Sequence, residues 1–429
     1  MSLKNKIVKR VYFEIEGALA SPLLSGSGAD HFTNMDIVRD YYGNPFLPGT
    51  ACAGAFRQWL MENALENASS IASLFGSQKE DPNDLKQSRL FISDVMFYGG
   101  KAIVRDHVHL EDKVAKKMGK FDVELVENGT PFIMRLEYIE RENTGSHSDE
   151  ALIHSIIHGL FSGALKLGGK TSRGYGKLTV NSVRRKVFDY AGDKGAVKEW
   201  LDWTFTKGDM ETVPISAYKQ CQTAFETVTI PLKIKQTILV RDYKVAGSLD
   251  YTYLTANGSP VIPGTTWAGA FRHQLQEILN ALQIDANKSQ EFIDQLFGSK
   301  KEADEGSPSI LQFEESAIRE HTSLVRTRNA IDRFSGATIK GALFTGKSVC
   351  KGETELIIRW NRKRAISNEI IRGVLYWLIQ DLHHGFLAIG GETAVGRGVF
   401  ELRDQNLLDE YKTDCKKVVR FLKKEDGKV

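Results

Sequence analysis

Apolar and polar residues alternate along Lys6–Glu16 (KIVKRVYFEIE), as in a strand buried on one face. Thr227–Val240 has the same character. After each run comes a polar, glycine-rich segment. Pro-Gly-Thr then opens a stretch with apolar residues at helical spacing, Ala51–Leu65 and Thr266–Leu282. Proline and threonine there are helix-start signals. Leu90–Phe97 reads as a strand, and a basic excursion follows at roughly 101–121 and 322–344. Further strand-like runs lie around Phe132–Tyr138 and Glu355–Trp360, with helices expected at 149–163 and 367–385. A glycine-rich loop and a last strand close each series. Strand, helix, strands, helix, strand is the order of a split βαβ, ferredoxin-like α+β fold. Such folds often present a sheet face to RNA. Residues 182–224 read as a tail and linker, with a short helix in AVKEWLDWTF. Domains are therefore expected at 1–215 and 225–429.

The two series are copies of one another. PGTACAGAFR at 48–57 and PGTTWAGAFR at 263–272 share eight of ten residues. LFGSQKE at 74–80 and LFGSKKE at 296–302 share six of seven. GALKLGGKTSRGYGKL at 163–178 and GFLAIGGETAVGRGVF at 385–400 share seven of sixteen, five of them glycines. The offsets are 215, 222 and 222, far longer than one solenoid repeat, so each copy is a whole domain. A chain of 429 residues agrees with that, because single cores stop growing near ~250–300 residues.

Composition is that of a globular protein, with 41% hydrophobic and 26% charged residues. No apolar run reaches ~18 residues, so no membrane span is expected. The first residues lack a signal-peptide h-region, which points to the cytoplasm. The cysteines, Cys52, Cys221, Cys350 and Cys415, show no zinc or disulfide spacing. A net charge of +3 is too small to argue for nucleic acid unless the basic residues are concentrated locally.

Taken together and in order, four motifs resemble the RAMP superfamily of CRISPR-associated proteins. They are PGT-x-x-AGAFR, the LFG turn, R-x-H/R-x-x-L/I-E/D from Arg105 and Arg326, and GG-x-T-x-x-G-x-G. More narrowly they resemble backbone subunits of type III effector complexes, and the duplication is most like the fused subunits of the III-D kind. The resemblance implies two tandem ferredoxin-like (RRM-like) domains, each with an inserted thumb-like hairpin. It implies partners: a CRISPR guide RNA, a complementary target RNA and other effector subunits. It also implies cleavage of the target by an Asp from the loop after the first strand, with Mg²⁺ or another divalent cation.

Asp36 stands twelve residues before Pro48 and Asp250 thirteen before Pro263, where the family pattern places its catalytic Asp. A loop carboxylate can take the proton of an RNA 2′-OH, with RNA phosphates supplying the other ligands of any metal ion. It fits an Asx turn equally well. Asp40 has Thr255 at its counterpart, and His31 has no counterpart. On the basic excursions Arg105 and His107 match Arg326 and Arg328, joined by Lys113, Lys116, Lys117, Lys120, Arg333 and Lys340. These suit phosphate contacts, with Met118 or Phe334 as wedges between bases, or a plain solvated hairpin. GGKTSRGYG fails as a P-loop, since Ala164 stands where its first glycine is needed. Its glycines fit an anion nest, with Lys170, Arg173 and Arg397 adding charge, or a tight helix-to-strand connection. Thr50 and Thr265 fit helix caps beside an RNA phosphate. Arg57 and Arg272 fit phosphate or salt-bridge partners. Related subunits often carry Lys at Ala53 and Ala268, which weakens the case for guide contact through this helix. Tyr41, Tyr42, Tyr251 and Tyr253 flank the Asp loops and can stack on bases. The C-terminal KKVVRFLKK suits a docking helix or a solvated one. Two rival functions remain: a non-catalytic RNA scaffold, and a CRISPR-RNA-processing endoribonuclease using His acid–base chemistry. No His recurs in both copies, which argues against the second.

Overall fold

In the computed structural model, the first alternating run forms a strand over Ile7–Leu19. The structure describes residues 6–28, 33–63, 68–76, 87–111, 114–142, 147–218, 223–242, 249–299, 306–363 and 366–423. Contacts divide the chain into residues 1–171 with 175–224, and residues 172–174 with 225–429. Each unit has its own sheet and mixes helix with strand. Among the described residues no helix is long and apolar enough to cross a membrane.

In the first unit Ile7–Leu19 lies between Leu178–Asp189 and Pro131–Arg141, antiparallel to both. Leu90–Ile92 and Val95–Met96 follow on the far side of Pro131–Arg141. Ile15 faces Met134 and Val183, and these residues, with Phe13 and Leu136, are buried. Helix α1 (Gly49–Asn63) and helix α3 (His147–Phe161) meet through Trp59, whose indole N–H donates to the Ser155 carbonyl at 3.1 Å. Gly159 makes that approach possible, since a Cβ there would come within 2.7 Å of the Trp59 ring. Helix α2 (Ala68–Phe75) is tied to α3 by a buried Arg89–Asp149 pair.

The opposite sheet face is polar and partly covered. Its charges alternate across the strands and cancel. Arg10 pairs with Glu137, and the buried Glu14 pairs with Arg135 and Arg184. The segment read as a linker then lies over them. Helix α4 (Ala196–Asp202) brings Trp200 to 4.7 Å from the Arg10 guanidinium. Phe205 stacks 4.5 Å from that of Arg135, and Trp203 packs 4.8 Å from Tyr12. Aromatic rings over paired guanidiniums cover this part of the face.

In the second unit Phe225–Ile234 lies between Glu353–Asn361 and a closing strand of only three residues, Phe400–Leu402. Helices α5 (Gly264–Ala281), α6 (Ala286–Phe297) and α7 (Asn368–His384) enclose the core with it. Trp267, Phe271, Trp360 and Phe400 are fully buried. Each large side chain so buried contributes about 1.5–3 kcal/mol. The C-terminal basic segment becomes helix α8 (Cys415–Lys423), with Val418 and Leu422 turned inward. It seats on α7 over Gly373, where a Cβ would meet Val418 at 2.5 Å. Its apolar side is therefore used within the unit.

Helices α1 and α5 start at Gly49 and Gly264, so Thr50 and Thr265 lie inside the first turn and do not cap. Pro263, extended at φ −60° and ψ 148°, takes the cap position of α5 without a side-chain bond. In α1 the first N–H is taken by Asp94 Oδ1 at 2.7 Å, from a loop distant in sequence.

The basic excursions are two long hairpins, Ala102–Glu111 with Val114–Val126 and Thr322–Ile331 with Thr338–Cys350. Lys113 and the side chains of Lys116, Lys117 and Met118 lie outside the described residues, as does His31. Lys120 pairs with Asp106 at 3.2 Å. At the second tip Asp332 accepts the N–H groups of Phe334 (3.0 Å) and Ser335 (2.7 Å). This turn leaves Phe334 fully exposed.

Candidate functional site

In both units the loop after the first strand runs along the second strand of the hairpin. The strand alternation places a backbone N–H and C=O toward the loop at every second residue. In the first unit Met35 O accepts from Glu124 N at 2.9 Å, and Asn34 Oδ1 accepts from Asp122 N at 3.0 Å. In the second Tyr251 O accepts from Lys347 N at 3.1 Å, and Asp250 Oδ2 accepts from Thr345 N at 2.6 Å. The hairpins themselves match His107↔Phe121 with Arg328↔Phe344. The hydrogen bonds therefore make Asp250 the equivalent of Asn34, two residues from Asp36. The loops differ by one residue in length, so counting back from Pro48 and Pro263 could not settle the register.

Asp36 and Asp250 consequently sit in different surroundings. Asp36 is 4% exposed, and its Oδ1 accepts both the Thr33 N–H (3.0 Å) and the Thr33 hydroxyl (2.6 Å). This carboxylate closes a local turn. Asp250 is exposed, with its carboxylate at the edge of the hairpin. Asp40 closes another turn by accepting from the Asn44 side-chain amide at 3.0 Å and from the backbone N–H groups of Asn44 and Tyr42, and these bonds, the side-chain one foremost, hold its carboxyl below the ordinary range. Tyr41 and Tyr42 beyond it are 97% and 84% exposed.

Arg39 anchors the first loop with a two-pronged contact to Glu124, at 2.8 and 2.6 Å. That fork holds the Glu124 carboxyl below its ordinary value of 4.5 against the opposing effect of burial. A depressed carboxyl contributes stability that is present above the unfolded value and lost as pH falls through the folded one. Denaturant melts of wild type and Glu124→Gln are therefore expected to differ most at pH 7. The gap should close as pH falls below about 4.5. A gap independent of pH would show that the ion pair contributes nothing.

In the second unit the Asp loop, the hairpin and the glycine-rich loop meet at Glu392. Its Oε1 accepts from the Tyr251 hydroxyl at 2.8 Å and from Arg241 Nη2 at 2.9 Å. Its Oε2 accepts from Arg328 Nη1 at 3.0 Å and lies 3.0 Å from Arg397 Nε. Burial pushes the Glu392 carboxyl up, but Tyr251 and the surrounding arginines outweigh it and hold the carboxyl low. Tyr251 lies across the hairpin at Gly346, where a Cβ would fall 2.0 Å from its ring. Arg326, opposite Gly346 on the partner strand of the hairpin, is exposed.

The first unit builds the same place from other residues. His107 stacks on Phe121 at 5.2 Å and its Nε2 lies 3.2 Å from the Tyr175 hydroxyl. Lys170, at the Glu392 position, sits 4.8 Å over Phe121, and Arg105, 4% exposed, lies 5.9 Å from the Tyr175 ring. Arg105, His107 and Lys170 are thus brought together. Arg173 is exposed on the turn Thr171–Arg173, and Arg57 is half-buried on α1. Arg272 is a structural partner, since it joins α5 to α6 through Asp294 at 2.6 Å and the Gly298 carbonyl. The last glycines of the loops are also structural. A Cβ on Gly176 would stand 1.8 Å from Leu167 O, and one on Gly398 1.9 Å from Ile389 O. Sequence reading missed Arg241, Tyr251 as a hydrogen-bond donor, and Glu392. The one signal was the Lys170/Glu392 charge reversal at a matched position.

The profile of the RAMP superfamily matches residues 19–179 and 246–401, more than half of the chain. A search of curated proteins found no match. RAMP proteins are CRISPR-associated, bind RNA and work in complexes, and some are ribonucleases. Each matched region spans an Asp loop, a PGT helix, a hairpin and a glycine-rich loop. The chain belongs to the RAMP superfamily, with the family's domain present twice.

Proposed function

We propose that the chain is a guide-RNA-binding backbone subunit of a type III CRISPR effector, closest to the fused III-D kind, and that it cleaves complementary target RNA from its second unit. The observation that carries this reading is the meeting of Asp250's loop, the hairpin and the glycine-rich loop around Glu392. The two domains are taken as 1–215 and 225–429. In the first sheet the last strand lies beside the first, the first beside the third and the third beside the second, which supports a ferredoxin-like reading. The hairpins suit thumbs. Arg326, Arg333 and Lys340 are exposed along the second one for phosphates, and Phe334 at its tip suits a wedge between stacked bases. Sequence selection would come from guide pairing, while the protein reads backbone and shape.

The chemistry assigned to Asp250 is general-base catalysis. Its carboxylate takes the proton of a target 2′-OH. The 2′-oxygen bonds to the adjacent phosphorus, and the P–O5′ bond breaks as the leaving oxygen gains a proton from water. Asp36, committed to Thr33, is assigned to holding its loop, so one site cuts per chain. Asn34 at the equivalent position favours the scaffold reading for the first unit alone.

The residues do not form a metal centre of their own: among the described residues no group of three or more His, Cys, Asp or Glu could hold an ion. Mg²⁺ would depend on RNA phosphates for most of its ligands, and no step above is routed through it. The first test is binding of a labelled guide RNA by the full chain. The expected result is binding whose log K falls linearly with log salt, by about 0.7 per phosphate contacted. No binding at about 0.05 M salt would overturn the reading.

A further inference from the structure

We infer that Arg241, Arg328 and Arg397 form a site for one RNA backbone phosphate, and that Glu392 is its resident competitor, a carboxylate that holds the guanidiniums until a phosphate displaces it. This rests on the reading of the chain as an RNA binder and adds a control to it. Three guanidiniums face one carboxylate. Arg397 is 3% exposed, and its Nη1 has no hydrogen-bond partner. A buried guanidinium N–H without a partner in the protein is a donor that a bound anion can use. Arginine forks recognise carboxylate and phosphate by the same geometry, so a phosphodiester can take over the donors that Glu392 now occupies.

Glu392 is not required by the shape of the loop. Its backbone is left-handed at φ 58°, and Lys170 adopts φ 55° at the same place in the first unit. The loop therefore forms with either charge. What Glu392 changes is the charge in the cage, and its side chain keeps 13% exposure through which to leave.

The test measures anisotropy of a labelled single-stranded RNA with the full chain across salt concentrations. Glu392→Gln keeps shape and removes the negative charge. It is expected to bind RNA about 3–10-fold more tightly than wild type, as befits loss of a competing anion beside one phosphate contact. Arg328→Gln and Arg397→Gln are expected to weaken binding and to lower the salt slope by about one contact. Arg328 is partly exposed, so its variant serves if Arg397→Gln fails to fold. Weaker or unchanged binding by a folded Glu392→Gln would overturn the inference, since Glu392 would then be a brace. An unchanged Arg328→Gln would overturn it as well. Failure of wild type to bind any RNA would instead sink the RNA-binding reading itself.

Discussion

Asp250→Asn is expected to slow cleavage of a complementary target RNA by about 10²–10⁴-fold, the usual contribution of a positioned general base, while guide binding persists. Asparagine keeps the shape and can still accept from Thr345 N, the bond that fixes the side chain at 2.6 Å. It cannot take a proton. The loop should therefore stay in place, and the loss should appear in the rate of the chemical step, not in target affinity. Asp36→Asn is expected to leave the rate unchanged, because that side chain is 4% exposed and its Oδ1 is occupied by Thr33. Single-turnover rates with saturating complex separate the two. Equal losses from both variants would mean that the hydrogen-bond register misassigns the pair.

Asp149→Ala is expected to cost about 3–5 kcal/mol of stability, because it strands a buried arginine. Asp149 and Arg89 are 1% and 5% exposed. Arg89 also donates to Ser73 O at 3.1 Å and Ser73 Oγ at 2.9 Å, so the pair fastens α2 to α3. Tyr138 donates to Asp149 at 2.7 Å, and burial with that bond pushes its hydroxyl far above the ordinary tyrosine range. For a unit of this size the loss corresponds to a drop in Tm of about 6–20 °C. Asp149→Asn, which keeps an acceptor for Tyr138 but not the charge, should fall between. Calorimetry of the three proteins measures it, and a shift within about 0.5 kcal/mol, the range of ordinary surface changes, would show the pair to be idle.

The repeated elements were legible because they rest on local pattern. Alternation marks the strand Ile7–Leu19, and Pro-Gly-Thr marks helices α1 and α5 to within two residues. The hairpins were legible as basic stretches matched residue by residue, Arg105 with Arg326 and His107 with Arg328. Four features were not legible, each because its partners are distant in sequence. Thr50 looked like a cap, yet Asp94 supplies the acceptor. The segment at 182–224 read as a tail and linker, yet Trp200, Trp203 and Phe205 return from beyond the last strand to pack on the first sheet. Asp36 looked like the partner of Asp250, yet loops that differ by one residue align only through the hairpin they lie against. Glu392 gathers side chains from positions 241, 251, 328 and 397, which no local motif connects.

The central claim is that one unit cuts and the other holds. The most direct measurement is a product map: wild type, Asp36→Asn, Asp250→Asn and the double variant, each assembled with guide RNA and a labelled complementary target in Mg²⁺, resolved to single nucleotides. The account predicts that Asp36→Asn reproduces every wild-type product assigned to this chain. Asp250→Asn and the double variant should lose them all while still binding target. A distinct product that vanishes with Asp36→Asn alone would contradict it, because the first unit would then be a nuclease in its own right.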